Sequence, residues 1–529
     1  MWFIAVASLV FKPALAEICG DGLLNELRAR LGGAENAIGD VLGMPSPINA
    51  PFATEHIKPL AVVAPKSAGE IASILGLAAE CNIPVAVRSN HGHSYIGQST
   101  VQDGIVVHMA SFQDVQIEHI DGEWIASVGG GVNHGHLYDT LSEHTPPLTV
   151  PAGACRSVGL SGLIQGGGYG LLAVNHGLTC DRVVSADVVV WQPGSGESLV
   201  TGLNRSGQGQ YSLVHATERN EHAELLFALR GGLGGNYGVV TRWQLRAVAK
   251  PSNVTQLSIW FPASLPGPMI KVMKWLRQND ASGGTPLWAQ FWFPRNAKGA
   301  QLRVMCHCWG SCEPCVLPLS VLRSFHVSST SDRESVSSIS VLDFDPFRSS
   351  EAWSSTFSVT QGRPDMRVFS MYFDDATLLK DEGIAVLFSA MQNASHAGIS
   401  ELFMQLDFHA GAMTRKHNTA FGHREPGWFN QVYATGTGVG PSRWSKRAWS
   451  TLLPFARATT GTEIMGYGNY IDSDKRESPR GFFASDADYA RVQNAKCAYN
   501  PQEVFKIPRL AHMQVPLPAT CHATRALLP

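Results

Sequence analysis

Glycine is what most constrains this chain. It supplies 52 of the 529 residues, and the excess falls in runs. These are Gly129-Gly130-Gly131, the stretch from Gly153 to Gly162, Gly166-Gly167-Gly168 with Gly170, and Gly231-Gly232-Leu233-Gly234-Gly235 with Gly238. A residue without Cβ reaches positive φ and lets backbone amides approach a ligand closely. Successive turn amides of this kind form concave anion sites suited to a pyrophosphate. One such run alone makes a tight turn. Four of them, separated by short apolar segments, are what a large phosphorylated cofactor requires.

The spacing excludes the commonest cofactor motifs. Gly232-Leu233-Gly234 has Tyr237 where a dinucleotide fingerprint needs its third glycine, and the run leads into a strand rather than a helix. No G-x-x-x-x-G-K-[ST] loop occurs, so a P-loop nucleotidase is excluded along with a Rossmann-type nicotinamide enzyme. Lys+Arg 41 against Asp+Glu 43 leaves a net charge of −2, with no footprint for nucleic acid or an anionic membrane. A hydrophobic share of 44% with 16% charged residues argues for a folded chain.

The chain opens on the apolar run Met1 to Phe11, too short to span a bilayer, and Ala14-Leu15-Ala16 fits signal-peptidase cleavage. Sequons at Asn204, Asn253 and Asn393 and ten cysteines fit a secreted or secretory-lumen protein. No later apolar stretch reaches the length of a spanning helix, so no membrane partner is expected. The dense group Cys306, Cys308, Cys312 and Cys315 contains a CxxC, but no second pair follows at zinc-site distance. Local disulfides or packed thiols are expected there, and no metal.

Pro59 to Pro65 reads as a short strand, Ser67 and Glu70 as a capping box, and Ile71, Ile74, Leu75 and Ala78 as one helical face. Asn82 ends that helix, and Ile83 to Val87 starts a strand, completing a βαβ unit that runs into the loop Arg88 to Tyr95. From about Lys250 glycine thins and aromatics thicken, and glycine and tyrosine return at Gly466 to Asp472. The expected division is a signal peptide at 1–16, a cofactor domain at 17–250, a substrate domain at 251–460, and a segment at 461–515 that returns to the cofactor domain.

Several ordered motifs together resemble one family. Arg88 with Gly92-His93-Ser94-Tyr95, Gly153-x-Cys155-x-x-Val158-Gly159, Gly166-Gly167-Gly168-Tyr169-Gly170 and Gly234-Gly235-Asn236-Tyr237-Gly238 look like flavin-linked oxidases of the vanillyl-alcohol-oxidase superfamily. The berberine-bridge-enzyme-like branch, common among fungal secreted and secondary-metabolite enzymes, is the nearer match. Tyr467-Gly468-Asn469-Tyr470-Ile471-Asp472 and Lys496 to Phe505 are similar to its C-terminal element. The resemblance implies an α+β fold: a PCMH-type FAD-binding domain of two subdomains with a central α+β substrate domain. It implies FAD tethered by His93 and Cys155. The loop is one residue longer than the usual Arg-x-x-Gly-His, which leaves His91 as an alternative. Arg88, Gly92, Ser94, Gly153, Gly159, Gly166, Gly167, Gly168, Gly235, Asn236 and Asn469 are the further cofactor contacts it implies. A disulfide between Cys19 and Cys81 follows from related plant enzymes.

The same resemblance gives Tyr470 the role of proton acceptor and Val158 a place on the oxygen approach. A phenol, with a free pKa of about 10, needs positive charge or hydrogen bonds to act as a base. The expected reaction is two-electron oxidation of a small organic substrate, a secondary metabolite, by a monomer that hands electrons to O2 and releases H2O2. The aromatic-rich middle, with Phe421-Gly422-His423-Arg424 and Trp428-Phe429, suits a flat or apolar molecule. The alternatives are a carbohydrate oxidase and a non-redox, pericyclase-like flavin protein.

Overall fold

The computed structural model describes residues 17–31, 38–39, 57–89, 97–193, 209–262, 266–281, 287–294, 299–308, 365–391, 399–456, 466–472, 474, 478–507 and 514–521. The signal-peptide segment, the histidine loop from 90 to 96 and the cysteines at 312 and 315 lie outside the described residues.

The first sheet contains β1 (Ile38–Gly39), β2 (Ala61–Val63), β3 (Val85–Arg88) and β4 (Ile105–His108), in the order β1-β2-β4-β3. β2 and β3 are linked by the helix Ala68–Glu80, yet both pair parallel with β4, which inserts between them. Ser67 accepts a hydrogen bond from the Glu70 amide at 3.2 Å. The expected return bond to Ser67 is replaced by one from the Lys66 amide to the Glu70 carboxylate, at 2.6 Å. Ile71, Ile74, Leu75 and Ala78 are fully buried, each large side chain contributing about 1.5–3 kcal/mol relative to exposure. Asn82 closes the helix at φ 51°, a left-handed conformation that asparagine tolerates.

Seven strands follow: β5 (Val115–Ile120), β6 (Glu123–Gly129), β7 (Leu148–Thr149), β8 (Val183–Gln192), β9 (Gln210–Thr217), β10 (Val239–Arg246) and β11 (Val248–Ala249). Five of them form an antiparallel sheet ordered β5-β6-β10-β8-β9, and β7 pairs with β11. The helices His134–Glu143 and Leu160–Gln165 carry the glycine-rich turns past this sheet.

The last sheet has six strands: β12 (Asn253–Pro262), β13 (Leu287–Pro294), β14 (Gly299–Cys308), β15 (Asp365–Phe373), β16 (Ile399–His409) and β17 (Gly427–Gly436). Its order is β12-β14-β13-β16-β17-β15, antiparallel throughout. Alternate side chains divide between its faces. Phe293 and Phe369 meet Phe388 and Trp449 of the covering helices Asp381–Met391 and Gly440–Leu452. Gln290, Gln405 and Gln431 point the other way.

The C-terminal helix Asp486–Tyr499 lies back against the first half of the chain. Asn500 donates to the Asn236 carbonyl at 2.9 Å, and Arg491 forms a two-bond pair with Glu224. Among the described residues two disulfides are present, Cys19–Cys81 and Cys497–Cys521. The second closes the end of this helix onto the tail.

Candidate active site

A cavity of about 300 Å³ runs between the glycine-rich turns and the open face of the six-stranded sheet, within the size range of small-molecule sites. One wall is mostly backbone: Gly153, Gly159, Gly162, Gly234 and Gly235 line it. Gly235 sits at φ 72°, and a Cβ there would meet no protein atom within 4 Å. The wall therefore leaves open the space a side chain would fill. Gly166, Gly167 and Gly168 do not line the cavity. They form the turn behind it, where added Cβ atoms would overlap Asn469, Phe421 and Thr179.

Cys155 and Val158 line the same wall on a segment strapped to the helix His134–Glu143. The His134 ring bonds the Cys155 carbonyl at 3.1 Å, Tyr138 donates to the Gly153 carbonyl at 2.8 Å, and the His134 amide donates to the Val158 carbonyl at 3.0 Å. Cys155 is one of two free cysteines among the described residues, with Cys180. Burial pushes its thiol up to about 11, so it stays protonated at neutral pH. Its expected partner in tethering, His93, lies outside the described residues with His91, Gly92 and Ser94.

Arg88 ends β3 beside the lining residues Val87 and Ser89. It is buried, its guanidinium makes a 3.4 Å contact from Nε to the Ser99 carbonyl, and it has no carboxylate partner among the described residues. Burial lowers its guanidinium to about 10. A desolvated cation beside a backbone-lined hollow fits an anionic group of a cofactor such as FAD. Asn236 acts differently. Its amide donates to the Leu233 and Gly234 carbonyls and accepts from the Val515 amide, fastening the last glycine run to the C-terminal tail.

The facing wall is made of side chains. Register places Gln290 opposite Asp407 and Gln405 opposite Gln431, so all four share one face across β13, β16 and β17. The Asp407 carboxylate accepts from Gln290 at 2.7 Å, Gln405 at 2.5 Å and the Tyr169 hydroxyl at 2.6 Å. Burial raises its pKa to about 6, against the opposing pull of those three donors. Gln405 Oε1 and Gln431 Nε2 are buried without a hydrogen-bond partner among the described residues.

Tyr470 and Asn469 bridge the two walls and line the cavity. Tyr470 closes a turn onto the Tyr467 carbonyl at 2.8 Å, and its hydroxyl lies 3.3 Å from that of Tyr169. Asn469 donates to the Leu163 carbonyl and the Tyr467 hydroxyl, which in turn accepts from the Gly168 amide at 3.0 Å. The structure thus brings Tyr470, Asn469, Val158, Cys155, Gly153, Gly159 and Gly235 to one cavity.

It adds Tyr169, Asp407, Gln290, Gln405 and Gln431, which sequence reasoning did not assign. Their signal was present as polar residues at two-residue spacing inside apolar strands, as in Phe403-Met404-Gln405-Leu406-Asp407. The aromatic middle differs from expectation in the opposite sense. Phe291, Phe293 and Trp428 are sheet core on the face away from Gln290, Phe429 shares the face of Asp407 and Gln431 but is buried in a stack with Tyr169, and Phe421, in a loop, packs on Gly167 and Gly231. Trp288 alone of that set lines it.

Among the described residues no helix is long and apolar enough to cross a membrane, and no group of three or more His, Cys, Asp or Glu could hold a metal.

Comparison with known proteins is concordant with this geometry. The model of the FAD binding domain family matches residues 59–196. Berberine bridge enzyme-like 12 of Arabidopsis thaliana is 31% identical over 210 residues, 39% of this chain and 36% of the relative. The match thus spans about a third of that relative's length. Among solved structures, BBE-like 1 of Physcomitrella patens superposes with a TM-score of 0.70 at 22% identity, over 93% of this chain and 99% of the other. A chitooligosaccharide oxidase superposes with a TM-score of 0.67 at 18% identity, over 93% and 100%.

Proposed function

We propose that this berberine-bridge-enzyme-like protein, with its FAD-binding domain and PCMH-type fold, is an FAD-dependent oxidase that removes two electrons from a hydroxyl-bearing carbon of a small organic molecule. The observation that carries the proposal is the chain of groups Tyr470, Tyr169 and Asp407 leading from the cavity into the sheet. FAD, when bound, would accept the electrons with the carbon-bound hydrogen and return them to O2 as H2O2. Gly153, Gly159, Gly234, Gly235 and Asn469 would hold it, Arg88 would meet its negative charge, and Cys155 with His93 or His91 would tether it.

The protein's own task is then to receive the hydroxyl proton. A neutral phenol can accept one only by passing its own onward. Burial holds the Tyr169 phenol well above its ordinary pKa, so it stays protonated. Asp407, at about 6, is a carboxylate at neutral pH and already accepts the Tyr169 hydrogen bond. At rest Tyr169 is the donor in both contacts, so the relay requires the Tyr470 hydroxyl to turn toward Tyr169 Oη; the substrate proton then moves to Tyr470 Oη, the Tyr470 proton to Tyr169 Oη, and the Tyr169 proton to Asp407 Oδ2. Both phenols stay neutral, and the charge change is confined to a buried carboxyl poised near neutrality.

A second reading, oxidation of a carbohydrate, is favoured by the amide wall. Gln405 Oε1 and Gln431 Nε2 offer an unmet acceptor and an unmet donor, suited to a hydroxyl-rich ligand rather than a flat apolar one. The fold shared with a chitooligosaccharide oxidase is in keeping with it. Two disulfides support passage through an oxidising compartment, and we assign the chain to the secretory lumen as a monomer, with the division at 250 and 460 kept as proposed. Peroxide release from a panel of oligosaccharides and of phenolic or alkaloid-like alcohols tests the function. Turnover of either set supports oxidase chemistry and selects between the readings. FAD-loaded protein that oxidises neither overturns it.

A further inference from the structure

A buried ion pair joins the turn that follows the glycine runs to the loop before β17. We propose that Asp181 and Arg424 are positioning residues for the tyrosine turn Tyr467–Tyr470, acting through two separate routes that converge on it. The proposal rests on the assignment of Tyr470 as proton acceptor.

Arg424 offers its planar fork to Asp181, with Nη1 to Oδ2 at 2.9 Å and Nη2 to Oδ1 at 2.6 Å. Both groups are buried, so the pair is little screened. The same guanidinium donates to the Met413 carbonyl at 3.1 Å and the Thr419 hydroxyl at 2.7 Å. Asp181 also accepts from the Leu178 amide at 2.9 Å. A bidentate pair fixes orientation as well as distance.

The first route runs along the Asp181 side. Thr179 and Cys180, immediately before it, donate their amides to the Gly168 and Gly167 carbonyls at 2.7 and 2.9 Å. The Gly168 amide donates to the Tyr467 hydroxyl. The second route runs along the Arg424 side. Its neighbour His423 bonds the Gly466 carbonyl through Nε2, one residue before Tyr467. Phe421 lies under the guanidinium at 5.1 Å and fills the space that Cβ atoms on Gly167 and Gly231 would need. Movement of the 419–424 loop against the Thr179–Asp181 turn would therefore shift the backbone before Tyr467 and the bond to its hydroxyl together. Tyr470, held by its amide on the Tyr467 carbonyl, follows.

Amide hydrogen exchange of the FAD-loaded full chain tests this without any substrate. Asp181→Asn keeps the shape and removes the charge. Exchange across residues 466–472 should accelerate about tenfold or more, while β10 and the helix Asp486–Tyr499 keep their wild-type rates. A merely structural pair would raise exchange evenly in all three. Thr419→Val removes one acceptor from Arg424 and leaves the ion pair, so it decides the matter if the first variant does not fold; the same segment should accelerate by a smaller factor. Unchanged exchange at 466–472, or an even rise everywhere, overturns the proposal. With the substrate that releases most peroxide, Asp181→Asn should also slow anaerobic flavin reduction by about 10- to 100-fold, as an ångström-scale misplacement does, and leave reoxidation by O2 unchanged. If Tyr470→Phe reduces at the wild-type rate, the functional assignment fails instead, and the exchange result stands apart from it.

Discussion

The two walls of the cavity are built in different ways. The glycine wall works through backbone, and its shape is set by what cannot be added: a Cβ on Gly170 would overlap the Ala152 carbonyl, and in the turn behind the wall one on Gly168 would overlap the Thr179 hydroxyl. The amide wall works through side chains on rigid strands, and its shape is set by what is present: Gln290, Gln405, Asp407 and Gln431. Damage to the first deforms the backbone and should appear as lost stability and lost cofactor. Damage to the second leaves the sheet intact and should appear as lost chemistry. Tyr470 stands between them and belongs functionally to the second.

The largest effect is expected from Tyr470→Phe. Removing the proton acceptor should lower kcat by about 10²- to 10⁴-fold, the usual range for general-base catalysis, with FAD content and melting temperature unchanged. Wild-type turnover in this variant would break the assignment. Next is Asp407→Asn. In the wild type the rate of flavin reduction should rise as pH passes about 6, where Asp407 ionises; the variant should be slower by about 100-fold and flat across that range. Stability should follow the same group with the opposite sense. Its folded pKa lies above the unfolded value near 3.8, so the protonated carboxyl favours the fold, and this contribution is lost as pH rises from about 4 through 6. The asparagine variant should lack that slope.

Gly168→Ala tests the turn that backs the glycine wall. Its φ of 81° and the crowding by Thr179 and Leu163 should cost about 2–3 kcal/mol, read as a lower melting temperature together with reduced FAD retention. Gln431→Ala should do the reverse: KM raised about 5- to 10-fold by loss of one substrate hydrogen bond, with stability and flavin content held. If Gly168→Ala kept its cofactor while Gln431→Ala lost it, the distinction between the walls would be wrong.

This difference also explains what could be foreseen. A wall of backbone announces itself in composition, because glycine is the only residue that permits it, and the runs at 129, 153, 166 and 231 stand out along the chain. Cys155 and Tyr470 were legible through the motifs that hold them. Gln290, Gln405 and Gln431 were not, because an amide inside an apolar strand has no distinguishing context until register brings three strands together. Asp407 needed Tyr169 from a distant glycine turn before its role was visible. Trp428 misled because aromatic content says nothing about which face of a strand is exposed, and Phe421 because a loop aromatic can serve only to fill space beside Gly167 and Gly231. The pairing of Cys497 with Cys521 was equally hidden, since spacing does not choose partners among ten cysteines. The capping box formed with Lys66 in place of Ser67 as the return donor, a one-residue change that sequence pattern does not resolve.

Backbone turns from the first half of the chain are proposed to hold FAD against the amide wall. The most direct measurement is the visible spectrum of the purified full-length chain, with protein-bound flavin counted per polypeptide before and after acid precipitation. The account predicts a yellow protein with one FAD per chain, and colour retained in the pellet through Cys155 and the loop histidine. A colourless chain that takes up no added FAD would contradict it.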